Sequence, residues 1–162
     1  MGWDLKTDLT FGRKNERLVI SYLNSQEGFE SEWYVPYRNQ YNQVDFSSWK
    51  VIGELKSRKN SSTKYPDTMF GENKMKYLKD KNMKGENRIF RFYFLFTDGL
   101  FSWEFDPNKN QLDTEYTIRD QYHKEKHIYE KYCFVKPQYL TKVTDTFNSF
   151  TFENAENTKH LL

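Results

Sequence analysis

Residues 43–58 read QVDFSSWKVIGELKSR, which contains two strand-like pieces, Gln43–Ser47 and Val51–Arg58. Between them lies a short tip centred on Trp49-Lys50. Two strand-like pieces joined by so short a connection are typical of a β-hairpin. With this tip, positions whose numbers sum to 99 face each other across the two strands.

Two carboxylates and a lysine converge on one face of this predicted hairpin. Asp45 lies opposite Glu54, and strand alternation places Lys56 and Arg58 on the same face as Glu54. Facing carboxylates with Cβ atoms about 5 Å apart repel each other. A divalent cation converts this repulsion into a binding site, and oxygen ligands select Mg²⁺ or Mn²⁺ over zinc. Lys56 can hold or deprotonate a water molecule, or contact a phosphate.

A helix is predicted over Thr10–Asn24, where apolar residues recur at helical spacing. Glu16 lies on the same side of this helix as Val19, Ile20 and Leu23. A carboxylate on or beside a buried face costs free energy unless another group pairs with it. We therefore expect a partner for Glu16.

The strongest strand prediction is Ile89–Thr97, which is almost continuously apolar and therefore typical of a central strand buried on both faces. Asp98-Gly99 predicts a hairpin turn directly after it. The other predicted elements are an edge strand at Ser31–Arg38, a Lys-rich helix at Thr68–Lys84, strands at Leu100–Phe105, Glu115–Arg119 and Phe134–Val135, a helix at Gln121–Tyr132 and a helical turn at Pro137–Leu140.

Length and composition favour one sheet-containing domain. The chain has 162 residues, and its aromatic fraction of 19% is about half of its 36% hydrophobic fraction. A core filled with aromatic and β-branched residues favours a sheet over a helical bundle. We predict a single α/β domain at residues 1–152, with a mixed central β-sheet flanked by helices. Residues 153–162 are predicted to be a polar, mobile C-terminal tail.

The sequence also limits the cellular setting. No apolar run approaches the roughly 18 residues that a membrane span requires. The first ten residues, MGWDLKTDLT, lack the apolar region of a secretory signal. Cys133 is the single cysteine, which excludes an internal disulfide and suits a reducing compartment. These features predict an intracellular protein of the cytoplasm or nucleus, with no membrane partner.

Positive charge is concentrated in the middle of the chain. Eleven basic and five acidic residues lie between Lys50 and Arg88, so this window carries +6 while the whole chain carries only +2. Such a distribution is typical of a surface that binds a polyanion, and the alternative is a solvated Lys-rich helix. The candidate nucleic-acid-binding residues are Lys50, Arg58, Lys59, Lys74 and Lys76.

Taken together, these residues resemble the PD-(D/E)XK nuclease superfamily, which has the restriction-endonuclease-like fold. The matching pattern is Glu16 in a first helix, then Asp45, then Glu54-Leu55-Lys56, followed by a helix and an apolar strand. The predicted order α-β-β-β-α-β over Thr10–Thr97 is that of the family core. Val44 stands where the motif has proline.

The resemblance implies a role for each matching residue. Asp45 and Glu54 would be metal ligands, with the backbone carbonyl of Leu55 as a third. Lys56 would be the catalytic lysine. Glu16 would be an accessory ligand, as in the phage-type junction resolvases. The implied cofactor is Mg²⁺, which Mn²⁺ can replace, and no small-molecule cofactor is implied.

The function implied by the resemblance is a metal-dependent endonuclease that hydrolyses phosphodiester bonds in DNA and acts as a homodimer. The resemblance extends to small endonucleases and junction resolvases of viral or phage type. One alternative is a non-catalytic nucleic-acid-binding or assembly module that keeps the same fold. Another is a viral structural protein with no nucleic-acid role. In the simplest alternative, the four candidate residues are ordinary surface charges.

A zinc site is a separate hypothesis. His123 and His127 are four residues apart on the predicted helix, and Cys133 follows six residues later. The set lacks a fourth ligand and a usual zinc spacing. The alternative is two surface histidines and one small buried cysteine.

Overall fold

The computed structural model describes residues 5–26, 34–36, 44–108 and 116–151. Helix α1 spans Leu5–Ser25 and helix α2 spans Glu72–Met83. The strands are β1 (Val35–Pro36), β2 (Phe46–Ser47), β3 (Val51–Ser57), β4 (Thr68–Gly71), β5 (Ile89–Phe96), β6 (Gly99–Phe105), β7 (Tyr116–His123), β8 (Ile128–Val135) and β9 (Thr141–Thr144). A 3-10 turn at Pro137–Tyr139 precedes β9.

The strands form two sheets. The larger sheet has six strands in the order β1-β2-β3-β5-β6-β9, and the smaller has three in the order β4-β8-β7. Strands β3 and β5 are parallel, whereas the other neighbours in the larger sheet are antiparallel. The fold is therefore α/β with a mixed sheet, and this part of the prediction is confirmed.

Helix α1 covers one face of the larger sheet and packs against β3. Burying each large apolar side chain contributes about 1.5–3 kcal/mol, so this cluster fixes the helix on the sheet. The same packing holds the polar residues of α1 beside β3. The buried members of the cluster are Val19, Ile20, Leu23, Tyr34, Phe46, Val51, Leu55, Tyr93, Leu95, Leu100 and Phe147.

Helix α2 and the smaller sheet cover the other face. Met75 and Leu78 of α2 and Phe70 of β4 are buried there. The ring of Phe70 stacks on Phe92 of β5, with centroids 4.2 Å apart. Alternate residues of β5 enter the two core layers, so β5 is buried on both faces, as its apolar run predicts.

The helix predicted over Gln121–Tyr132 is wrong. Strands β7 and β8 form a hairpin there, in which Tyr122 pairs with Tyr129. The physical reason is tertiary: β4 pairs with the buried end of β8, and the ladder continues outward into the polar residues. His127 has a φ of 53°, a left-handed conformation that closes the turn.

The predicted helix at Thr68–Lys84 begins too early. Its first four residues form β4, in which Phe70 pairs with Cys133 and enters the core. The sequence prediction also lacks β9. Of the predicted edge strand Ser31–Arg38, residues 34–36 are described, and β1 lies at the sheet edge. The predicted tail at residues 153–162 lies outside the described residues.

Candidate functional site

The β2–β3 hairpin has the register that the sequence predicts. Phe46 pairs with Gly53 and Ser47 pairs with Ile52. The tip is closed by a hydrogen bond from Ser48 N to the Val51 carbonyl oxygen at 2.8 Å. At Gly53 a Cβ atom would lie 2.4 Å from the ring of Phe46, so glycine lets this ring pack across the hairpin.

Asp45 is held firmly against β3 although it precedes the regular part of β2. Its backbone N–H donates to the Gly53 carbonyl oxygen at 3.1 Å. Its carboxylate Oδ2 accepts the Leu55 N–H at 2.7 Å. Asp45 is thus bonded to the residues directly before and after Glu54 in β3. These backbone groups fix the position of its carboxylate.

Glu54 is the most unusual polar residue of the site, because only 3% of it is exposed. Its Oε1 lies 3.4 Å from Lys56 Nζ and 3.5 Å from Lys74 Nζ. Its Oε2 is buried and has no hydrogen-bond partner among the described residues. A buried oxygen without a partner costs about 1–3 kcal/mol, and more when the group is charged.

The electrostatics of Glu54 reflect this burial. Burial, together with the neighbouring charge of Asp45, raises its pKa to about 7. The ammonium groups of Lys56 and Lys74 lower the pKa but do not offset burial. Glu54 is therefore poised to change its charge near neutral pH.

Glu16 approaches the same group of charges from α1. Burial raises its pKa to about 7, and the charge of Asp45 acts in the same direction. Arg13 and Arg17 on the same helix act in the opposite direction. Asp45 therefore opposes ionisation of both shifted acids, whereas the groups that favour ionised Glu16 are Arg13 and Arg17.

The four candidate catalytic residues thus belong to one electrostatic cluster of Glu16, Asp45, Glu54 and Lys56. Lys74 of α2 joins it, although the sequence analysis assigned this residue to nucleic-acid binding. Its place in the first turn of α2, directly after β4, brings its side chain to Glu54. Sequence spacing gave no means of distinguishing Lys74 from Lys76 in this respect.

The remaining basic candidates are spread over the molecule. Lys50 lies at the hairpin tip beside the exposed Trp49 ring, before β3 begins. Arg58 and Lys59 follow the other end of β3. Arg58 donates to the Met69 carbonyl oxygen, and burial lowers its pKa. Lys59 lies over the Phe11 ring, 5.0 Å from its centroid.

Lys76 forms an exposed ion pair with Glu72, one turn earlier on α2, at 3.1 Å. Lys84 pairs in the same way with Asp80, at 2.9 Å. Much of the positive charge predicted for this helix is therefore balanced locally. The basic residues between Lys50 and Arg88 therefore do not all belong to one continuous positive surface.

The zinc hypothesis is wrong, because the three proposed ligands do not come together. His123 ends β7 and His127 lies in the following turn, whereas Cys133 pairs with Ile118 in the buried part of the hairpin. Burial raises the pKa of the Cys133 thiol, which disfavours the thiolate that zinc requires. Within the described part of the chain, no three His, Cys, Asp or Glu side chains are close enough to enclose a metal ion by themselves.

A groove of about 670 Å³ adjoins the cluster, and Lys56 belongs to both. One wall comes from the segment between Lys56 and Asp67, and the other is the outer face of the smaller sheet. Sequence reasoning missed this groove, because its lining comes from four separate parts of the chain. Its lining is Lys56, Arg58, Asn60, Ser62, Tyr65, Pro66, Asp67, Thr68, Met69, Phe70, Gly71, Phe96, Gln121, Tyr132 and Phe134.

No protein-family model matches the chain, and no curated protein or solved structure matches it either. Neither α1 nor α2, the two helices that the structure describes, is long and apolar enough to cross a membrane.

Proposed function

We propose that the chain is a Mg²⁺-dependent endonuclease of the PD-(D/E)XK type, which hydrolyses phosphodiester bonds in DNA. The observation that carries this proposal is the Glu54 carboxylate. It is almost completely buried, faces the charge of Asp45, and leaves Oε2 without a partner among the described residues.

The donor set fits a hard divalent cation. Asp45 and Glu54 offer carboxylate oxygens, and the Leu55 carbonyl and water would complete an oxygen-only set of the kind Mg²⁺ and Mn²⁺ prefer. The unpartnered Oε2 is an acceptor whose burial a cation would offset. The raised pKa of Glu54 reports the same imbalance, since its cost arises from burying negative charge.

Each residue has a distinct task in this proposal. A bound Mg²⁺ would supply a polarised phosphate and a more acidic water molecule. Asp45 keeps its carboxylate in place through the Leu55 N–H bond at 2.7 Å. Lys56 combines contact with Glu54 and a side chain that is 28% exposed, so its ammonium can reach a water or a phosphate oxygen. Lys74 lowers the pKa of Glu54 and so favours its ionised form.

The order of elements also supports the proposal. Helix α1, strands β1-β2-β3, helix α2 and strand β5 follow one another as the resemblance implies, and β5 is parallel to β3. Two features depart from the family pattern. Strand β4 intervenes before α2 and belongs to the smaller sheet, and Val44 stands where the motif has proline.

DNA would be held by basic side chains at several places on the surface, among them Arg58, Lys59 and Lys76. Binding that neutralises phosphates releases counterions, so affinity should fall steeply as salt rises. Cleavage of both strands of a duplex requires two active sites or two encounters, and a homodimer would supply the two sites.

The decisive experiment is single-turnover cleavage of branched, duplex and single-stranded DNA in Mg²⁺ or Mn²⁺. We expect metal-dependent cleavage that Glu54→Gln reduces by at least about 100-fold. Glu72→Gln is the matched control, because it removes an acid that pairs with a lysine at the surface, and it should cleave like the parent.

Two outcomes would contradict the proposal. Cleavage that Glu54→Gln leaves unchanged would exclude this site as its source. Salt-dependent DNA binding without cleavage in either metal would leave the non-catalytic binding module as the function.

A further inference from the structure

The groove beside the cluster is preorganised by hydrogen bonds within the protein. The wall that contains Ser62 is fastened to the β5–β6 turn, since Ser62 N and Oγ donate to the two Asp98 carboxylate oxygens at 2.8 and 2.5 Å. Thr97 N donates to the Asn60 carbonyl oxygen at 3.0 Å. A groove whose wall is held by such bonds loses little conformational freedom when it binds a ligand.

The opposite wall is the outer face of the smaller sheet. Strand alternation and register place Met69, Phe134, Tyr132 and Gln121 on this face, away from the core residues Phe70 and Cys133. The Phe134 ring is 8% exposed and is covered by the Arg119 guanidinium at 3.9 Å. The face therefore offers the Tyr132 ring together with the Gln121 amide, which can donate and accept hydrogen bonds.

The charge of the groove is positive at the end nearest the cluster. Lys56 and Arg58 line it there. The acidic residue of the lining is Asp67, and Arg119 pairs with it at 2.5 Å. The groove therefore suits a ligand with an anionic group at one end and a flat, partly polar body at the other.

We propose that this groove binds an unpaired nucleotide of the DNA strand whose neighbouring phosphate lies at Glu54 and Lys56. The proposal rests on the proposed nuclease function and names its substrate class, which is DNA with a single-stranded stretch at the cut. A groove of about 670 Å³ has room for a nucleotide, whereas a stacked base pair of continuous duplex cannot enter it.

Tyr65 is the residue that most favours a nucleobase as the occupant. It lines the groove and 54% of it is exposed. The Lys64 ammonium lies 5.5 Å from its ring centroid, and the exposed part of the ring can stack on a base. A base stacked on an aromatic ring gains about 1–3 kcal/mol, independently of sequence. Gln121 lies across the groove and can form hydrogen bonds to the edge of a base.

The test measures binding without metal, so that it does not depend on cleavage. An eight-nucleotide oligothymidylate carrying one 2-aminopurine is titrated against the full chain in chelator, with a blunt duplex as the second ligand. We expect the single strand to bind more tightly than the duplex and the 2-aminopurine fluorescence to be quenched. Tyr65→Ala and Gln121→Ala should each weaken single-strand binding by roughly 5-fold or more and leave duplex binding unchanged.

Tyr139→Ala is the matched control, because Tyr139 is 42% exposed and does not line the groove. It should bind both ligands like the parent. Equal losses on single strand and duplex for Tyr65→Ala, or no loss on either, would overturn the groove assignment.

The two proposals can fail separately. If oligonucleotide binding depends on Tyr65 but no metal-dependent cleavage occurs, the groove stands and the nuclease function does not. If cleavage depends on Glu54 but Tyr65→Ala retains the parental preference among substrates, the nuclease stands and the groove assignment is wrong.

Discussion

Replacement of Glu54 by glutamine is the most informative single perturbation of this protein. Glutamine has almost the shape of a protonated glutamic acid but cannot ionise. Its effect on stability therefore measures what the buried negative charge of Glu54 costs the folded, metal-free chain. The same substitution removes a proposed metal ligand, so one variant tests both the electrostatics and the chemistry of the site.

The magnitude follows from the pKa. Glu54 has a pKa of about 7 in the folded protein against an ordinary value of 4.5. Below pH 4.5 the carboxyl group is protonated in both states and contributes no difference. Between pH 4.5 and 7 the folded state keeps a proton that the unfolded state releases, so the free energy of unfolding falls as pH rises. Above pH 7 this loss is complete at about 3 kcal/mol, because each pKa unit corresponds to about 1.4 kcal/mol.

In chelator at pH 8 we therefore expect Glu54→Gln to be more stable than the parent by up to about 3 kcal/mol. For a chain of this length the melting temperature should rise by about 6–12 °C. At pH 4.5 the two proteins should melt together. Glu16 titrates over the same range in both proteins, so its contribution largely cancels in the difference.

The assay is thermal and urea unfolding across pH 4.5–8, with and without Mn²⁺. At pH 8 Mn²⁺ should stabilise the parent but not Glu54→Gln. The stability advantage of Glu54→Gln over the parent that is seen in chelator should therefore shrink or reverse. Glu72→Gln is the control, since its exposed pair with Lys76 contributes about 0.3–0.5 kcal/mol. A Glu54→Gln variant that is less stable than the parent at pH 8 would refute the reasoning, because the contacts with Lys56 and Lys74 would then outweigh burial.

Three further predictions address the neighbours of Glu54. Lys56→Met should reduce single-turnover cleavage by roughly 100-fold while DNA affinity in Ca²⁺ is retained, and Lys84→Met, its control at an exposed pair with Asp80, should cleave normally. Asp45→Asn should abolish the Mn²⁺-dependent rise in melting temperature without lowering stability in chelator, and a rise equal to the parent's would exclude Asp45 as a ligand. Cleavage should increase from pH 6 to pH 8 as Glu54 ionises. Lys74→Met should move this pH profile to higher pH, because Lys74 lowers the pKa of Glu54. A profile that does not move would show that another group controls the pH dependence.

The sequence predicts those parts of the fold whose signals are local. The β2–β3 register follows from a four-residue tip, and the buried strand β5 follows from eight nearly continuous apolar residues. The helix predicted at Gln121–Tyr132 fails because the segment is polar and its strand state depends on pairing through β4, more than fifty residues earlier. Propensity carries no information about a partner at that distance.

The same distinction applies to the candidate site. The sequence alone predicts the proximity of three site residues, because hairpin geometry brings together Asp45, Glu54 and Lys56, which lie within twelve residues. Lys74 reaches Glu54 only because β4 ends where α2 begins, and no spacing in the sequence reports that distance. The groove cannot be predicted from the sequence either, since the packing of the smaller sheet places Tyr65 and Gln121 in the same lining.

Burial of carboxylates explains how so costly an arrangement would serve the proposed metal site. Fully ionised, the cluster holds the three carboxylates of Glu16, Asp45 and Glu54. Lys56 and Lys74 lie beside Glu54, and Arg13 and Arg17 act on Glu16. Burial, together with the charge of Asp45, raises the pKa of both glutamates to about 7, so near neutral pH the metal-free site lowers part of this cost by binding protons. A divalent cation would displace those protons and convert the same repulsion into affinity. The extensive aromatic core on both faces of β5 supplies the stability that lets the fold tolerate this strain when the cation is absent.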